Sequence, residues 1–134
     1  MPKVDKYRGK TSGELASVSS EQALPYLTSR ARRTVRRAMA GKSAKVKKLM
    51  RKAVETKEKD ASKAIRTHVR EAVILPEWLG LNFAVYNGKE FKSVHISIDK
   101  IGYRLGDFAH TTGRVLHSGP GVGATRGSKF IPLK

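Results

Sequence analysis

The sequence predicts an α+β protein: a small antiparallel sheet built on a β-hairpin, with a basic helical N-terminal extension and an irregular C-terminal tail. Three observations carry this. Residues 29–56 repeat apolar side chains at helical spacing. Residues 81–98 alternate apolar and polar side chains around Asn87-Gly88. Between the two, a Lys- and Arg-rich composition gives way to β-branched and aromatic residues punctuated by Gly and Pro. A chain of 134 residues has room for one modest domain plus extensions, not two full cores. The expected divisions are a basic helical extension over residues 1–60, a compact core over 61–118 and a Gly-rich tail over 119–134.

Each element has a local reason. Thr11 with Glu14, and Ser19 with Gln22, fit the capping-box spacing and predict short helical turns before Pro25. Thr28 or Ser29 caps a helix that continues through Met39 and ends at Gly41. Ala31, Val35, Ala38 and Met39 form its narrow apolar stripe, and Arg30, Arg32, Arg33, Arg36 and Arg37 take the other positions. Ser43 caps a second helix reaching about Thr56, with Val46, Leu49, Met50 and Ala53 inward and Lys45, Lys47, Lys48, Arg51 and Lys52 outward. Residues 57–63 (KEKDASK) are polar and read as a linker. The spacing of residues 64–75 fits a strand, a loop or a helix; the apolar run at 72–75 stops at Pro76.

Leu81, Phe83 and Val85 then share one face of a strand, and Asn87-Gly88 is a two-residue hairpin signal because both positions accept positive φ. The return strand spans about residues 91–98, with Val94, Ile96 and Ile98 on one face. A lone hairpin is unstable in water, so a further element must cover it, from residues 65–75 or 101–109.

The formal charge of +17 implies a polyanionic partner, because like charge at that density repels itself. Residues 30–70 hold sixteen basic against three acidic side chains, residues 1–29 four against three, and residues 71–134 eight against five. One third of the chain therefore carries most of the excess, the footprint of phosphate binding. Solvated amphipathic helices are the plain alternative. Helical faces of one sign repel along i, i+4 pairs, however, and a bound polyanion relieves that repulsion. A membrane-surface helix would need a wide face of Trp, Phe or Leu, whereas these stripes are narrow and built from Ala, Val and Met.

Cysteine is absent, which excludes disulfides, cysteine zinc sites and a thiol nucleophile. No stretch approaches the roughly 18 apolar residues of a membrane span, and residues 1–10 lack the apolar run of a signal peptide. The expected setting is the cytoplasm. Gly41-Lys42-Ser43 ends like a phosphate-binding loop, but Arg36 stands where its first glycine belongs. Gly119, Gly121 and Gly123 do not complete a dinucleotide motif. His68, His95, His110 and His117 are scattered, with no local pair of ligands and no carboxylate cluster. No catalytic residue, metal or cofactor is expected.

Three stretches carry a resemblance to a known family. They are Arg66-Thr67-His68-Val69-Arg70 with Ile74-Leu75-Pro76-Glu77-Trp78-Leu79-Gly80; Val85-Tyr86-Asn87-Gly88-Lys89-Glu90-Phe91; and Ile101-Gly102-Tyr103-Arg104-Leu105-Gly106-Asp107-Phe108-Ala109. They resemble, in turn, the basic-Thr-x-x-Arg and Ile-x-Pro-Glu-x-x-Gly stretches, the hairpin tip and the Gly-His-x-Leu-Gly-Glu-Phe-Ala motif of the S-nineteen family of small-subunit ribosomal proteins. The tail Gly121-Val122-Gly123-Ala124-Thr125-Arg126 with Phe130-Ile131-Pro132-Leu133-Lys134, and Arg30-x-Arg32-Arg33, are similar to its archaeal–eukaryotic branch. Tyr103, Asp107 and Thr112 stand where the family has His, Glu and Arg.

The resemblance implies a structural role in the head of the small subunit, bound to the 3′ domain of its rRNA. It also implies pairing with ribosomal protein S-thirteen and a C-terminal tail that reaches toward tRNA in the decoding region; no homo-oligomer is expected. The expected rRNA contacts are Arg30, Arg32, Arg33, Arg36, Arg37, Lys42, Lys45, Lys47, Lys48, Arg51, Lys52, Arg66, Thr67, His68, Arg70, Lys89, Arg104 and His110. Thr125, Arg126, Lys129 and Lys134 are the expected tRNA-proximal tail residues. The tail, rich in glycine, is expected to be ordered only by surrounding RNA and protein. Charge alone would equally suit a free-standing nucleic-acid chaperone or compaction protein, which has no reason to carry the hairpin and Leu105-Gly106-Asp107-Phe108 motifs.

Overall fold

A computed structural model describes residues 6–116. Helices α1 (Ser12–Ala16), α2 (Ser29–Met39) and α3 (Ala44–Lys59) precede strands β1 (Ile65–Thr67), β2 (Asn82–Tyr86) and β3 (Phe91–His95). Short 3-10 turns lie at Leu24–Tyr26, Pro76–Trp78, Ile98–Lys100 and Leu105–Phe108. The expected ordering of residues 119–134, and the tail residues Thr125, Arg126, Lys129 and Lys134, lie outside the described residues.

The helices begin and end where their caps allow. Thr11 N–H donates to the Glu14 carboxylate at 3.0 Å, and Ser19 N–H to Gln22 Oε1 at 3.3 Å. α2 starts after Thr28 and stops at a left-handed Gly41, φ +78°. That conformation turns the Gly41 N–H back to the Ala38 carbonyl and the Lys42 N–H to that of Arg37, both at 3.0 Å, closing a Schellman motif. α3 runs past the expected end at Thr56 to Lys59, so the first three residues of the expected linker are helical. Lys57 explains the extra turn: its Nζ donates to the Glu77 carbonyl at 2.8 Å, fastening the helix end to the Pro76–Trp78 turn.

The α+β class and the hairpin are present, but the three-stranded sheet, ordered β1-β2-β3, is mixed. β2 and β3 are antiparallel, with Phe83 opposite Val94 and Tyr86 opposite Phe91. β1 joins β2 in parallel, Ile65 beside Phe83 and Thr67 beside Val85. A parallel neighbour requires a long crossover, and residues 68–81 supply it. The hairpin turn sits one residue later than expected. Asn87 N–H donates to the Glu90 carbonyl at 3.0 Å, leaving Gly88 and Lys89 at the tip. The Asn87 side chain accepts from the N–H groups of Lys89 and Glu90 at 3.0 and 2.9 Å, a local use of Asn that needs no positive φ. β3 ends at His95 and Ile98 begins a 3-10 turn; the last backbone bonds between the two segments are Ile96 N–H to the Leu81 carbonyl at 3.0 Å and Gly80 N–H to the Ile96 carbonyl at 3.1 Å.

One buried cluster joins the helices to the inner face of the sheet. Ala31, Val35 and Ala38 of α2 and Val46, Leu49 and Ala53 of α3 pack with Ile65, Phe83, Val85, Val94 and Ile96, and with Trp78 from the crossover. Trp78 and Phe83 meet with ring centroids 5.0 Å apart. The helical stripes are mostly Ala and Val, so each helix brings little apolar area of its own and depends on the sheet for burial.

The crossover also pairs with the last turn. Ile74 N–H donates to the Tyr103 carbonyl at 2.8 Å, Gly102 N–H to that of Ile74 at 3.0 Å, and Leu105 N–H to that of Ala72 at 3.0 Å. Backbone groups of the fully buried 72–75 run are thus satisfied by the 101–109 segment.

Candidate nucleic-acid interface

With every third or fourth side chain turned inward, most of the remaining positions from residue 30 to 52 go to cations, while the end of α3 also carries Glu55 and Glu58. Arg30, Arg33, Arg36, Arg37, Lys42, Lys45, Lys47, Lys48, Arg51 and Lys52 are all exposed. No Asp or Glu occurs between residues 29 and 54, so no carboxylate on these turns tempers their field.

Two clefts concentrate the charge. An open cleft of about 570 Å³ between the end of α3 and β1 is lined by Lys52, Lys59, Lys63 and Arg66, with Glu55 and Asp60 also on its walls. A second, of about 310 Å³, brings Arg104 from the far end of the chain to Arg37, Lys42 and Ser43 at the α2–α3 bend, beside Thr34 and Glu71. A phosphate group in either would meet several cations at once.

Other cationic or polar residues expected at the interface hold the fold together. Arg32 is half-buried; its Nε and Nη2 donate to the carbonyls of Leu24 and Leu27 at 2.9 and 3.1 Å, anchoring the turn that precedes α2. Arg70 donates to the carbonyls of Tyr86 (2.7 Å), Gly106 (3.0 Å) and Ala109, while its own carbonyl accepts from Gly106 N–H at 2.9 Å. It thereby clamps the end of β2 to the Leu105–Phe108 turn. Gly106 leaves room beside it: a Cβ there would stand 3.1 Å from both the Arg70 Cβ and carbonyl oxygen, so Arg70 would have to shift by a few tenths of an ångström. Thr67 is 6% exposed, and its Oγ1 accepts from Val69 N–H at 3.0 Å.

Arg66 and His68 project from the outer face of the sheet, Lys89 is exposed at the hairpin tip and His110 just after the last turn. Sequence reasoning missed two aromatic neighbours of His68: Tyr86 at a centroid distance of 4.7 Å and Phe91 at 5.2 Å. The period-two alternation that puts Phe83 and Val85 inside was the available signal, since it turns Tyr86 outward. It also missed Lys59 and Lys63, hidden in the supposed linker.

Among the described residues, no helix is long and apolar enough to cross a membrane, and no group of three or more His, Asp or Glu side chains could hold a metal. The family model described as ribosomal protein S19 matches residues 36–117. A curated relative, small ribosomal subunit protein uS19 of Methanococcus maripaludis, is 43% identical over 131 residues, covering 96% of this chain and 81% of its own. The protein of the same description from Methanococcoides burtonii is 41% identical over 128 residues, covering 96% of this chain and 88% of its own. The chain belongs to the ribosomal protein S19 family. Both relatives are archaeal, in keeping with the branch that the tail and the Arg-rich stretch resemble.

The S19 match begins inside α2, whereas the archaeal relatives align over nearly the whole chain, basic helices included. Of the departures from the family motif, Asp107 keeps a carboxylate's work: its Oδ2 accepts from Arg104 N–H at 3.0 Å at the head of the last 3-10 turn. Tyr103 is 56% exposed and meets Phe108 edge-on at 5.8 Å. Thr112 is exposed.

Proposed function

We propose that this chain, a ribosomal protein of the small subunit by its family, binds the 3′ (head) domain of the small-subunit rRNA through the outer faces of α2 and α3. The carrying observation is the run of ten exposed cations along two successive helices and the bend between them, with no carboxylate from residue 29 to 54. Arg and Lys neutralise phosphates and release condensed counterions, which gives affinity and position with little reading of sequence. The clefts at Lys52–Arg66 and at the α2–α3 bend take backbone turns of a rigid RNA, so its shape fixes the docking. The helical extension over residues 1–60 is the anchoring arm, and the core over 61–118 braces it.

In this reading the chain also pairs with ribosomal protein S-thirteen, works in the cytoplasm within the head of the subunit, and directs its tail, with Thr125, Arg126, Lys129 and Lys134, toward tRNA near the decoding region. The resemblance of the tail and hairpin motifs to the S19 family supports these assignments.

Crosslinking to RNA in intact cells, reading both partners, tests the proposal. The expected crosslinks join residues of α2 and α3 to the 3′ domain of small-subunit rRNA, and the protein stays with small subunits through a high-salt wash. Crosslinks scattered over DNA or unrelated RNAs, with loss of the protein in salt, would instead indicate a free-standing chaperone or compaction protein.

A further inference from the structure

The inner face of the sheet is covered by the helices; the outer face carries a different chemistry. Strand alternation and register set Arg66, Ala84 and Ser93 in one row across it and Tyr86 beside Phe91 in the next, with His68 just beyond β1. The His68, Tyr86 and Phe91 rings form one cluster: His68 to Tyr86 at 4.7 Å and 49°, His68 to Phe91 at 5.2 Å and 79°, Tyr86 to Phe91 at 5.2 Å and 52°. None of the three is a parallel stack. Phe91 is 38% exposed, and the Arg66 guanidinium lies over it, 5.5 Å from the ring centroid.

A cross-strand pair of Tyr86 and Phe91 is enough to brace a hairpin end. It does not call for a third ring outside the ladder or for a guanidinium above it. Partly exposed rings beside an exposed guanidinium, in rows without a carboxylate, match the demands of an unpaired nucleotide: a π-surface for the base and a positive charge for its phosphate.

We infer that the outer face of the sheet is a base-stacking site, in which an unpaired rRNA nucleotide stacks on the His68–Tyr86–Phe91 cluster and sets its phosphate against Arg66. This rests on the reading that rRNA is the ligand, and adds to it a second mode of contact. The helices hold phosphates; the sheet holds a base.

The two modes separate by salt. Stacking releases no counterions, so its loss weakens binding without changing the slope of log K against log salt. The full chain is titrated against a transcript of the 3′ domain at several salt concentrations. Phe91→Leu, which keeps apolar bulk and removes the ring, is expected to bind roughly tenfold more weakly with an unchanged slope. Phe91→Trp restores the affinity, and Arg66→Gln makes the slope shallower by about one. Ultraviolet crosslinking of purified small subunits then places a nucleotide on His68, Tyr86 or Phe91.

Phe91→Leu binding as tightly as the parent, with its thermal transition intact, overturns the inference. Crosslinks from this face to protein while α2 and α3 still crosslink to RNA also overturn it, and leave the rRNA reading in place. A chain that ignores the 3′-domain transcript yet binds another RNA with the same dependence on Phe91 upholds the stacking site and overturns the choice of RNA.

Discussion

The arginines of α2 and those around the sheet show two uses of one side chain. Arg33, Arg36 and Arg37 point outward from a helix whose backbone is already paired. Arg70, in an irregular crossover, faces the carbonyls of Tyr86 at the end of β2 and of Gly106 and Ala109 at the last turn, and it donates to all three. Arg32 belongs with Arg70 although it sits in α2, because the turn before the helix offers it the carbonyls of Leu24 and Leu27. The two sets differ in whether carbonyls with a lone pair to spare lie within reach of the guanidinium.

Breaking the inward set should unfold the protein and spare its electrostatics. Arg70→Met removes charge-assisted bonds to three carbonyls and is expected to cost about 3 kcal/mol, read as a lower urea midpoint. RNA binding by the fraction still folded should keep its salt slope.

Breaking the outward set should do the reverse. Replacing Arg36, Arg37, Lys45 and Lys48 together by Gln is expected to weaken RNA binding roughly 100-fold at moderate salt and make the salt slope shallower by about three. The urea midpoint should hold or rise, since like-charge repulsion along the helices falls.

The neighbours Arg32 and Arg33 give the sharpest contrast. Arg32→Gln is expected to lose about 1.5 kcal/mol of stability with little change in salt slope. Arg33→Gln should leave stability within about 0.5 kcal/mol and reduce the slope by about one. A further small effect lies at the bend: Gly41→Ala forces a Cβ into a left-handed conformation at a cost of about 1 kcal/mol, measurable as a shift in thermal midpoint.

Both long helices were legible in the sequence, because Thr28, Gly41 and Ser43 are local punctuation and the apolar period is local too. So were the hairpin and the inward set Phe83, Val85 and Val94. The missing parts were non-local. The last turn of α3 depends on Lys57 reaching Glu77, and the parallel pairing of β1 on a crossover whose path no local pattern specifies. The one-residue shift of the turn comes from the Asn87 side chain choosing two N–H groups over a strained backbone. The same limit applied to the candidate interface. The charge run located α2 and α3, but charge alone does not reveal that Arg32 and Arg70 have partners, or that His68, Tyr86 and Phe91 converge.

Arginine-specific modification with phenylglyoxal, on the free chain and on the purified small subunit, tests the division most directly. The account predicts that Arg33, Arg36 and Arg37 react in the free chain and are protected in the subunit, while Arg32 and Arg70 are protected in both. Ready modification of Arg70 in the folded free chain, or full reactivity of Arg36 and Arg37 in the subunit, would contradict it.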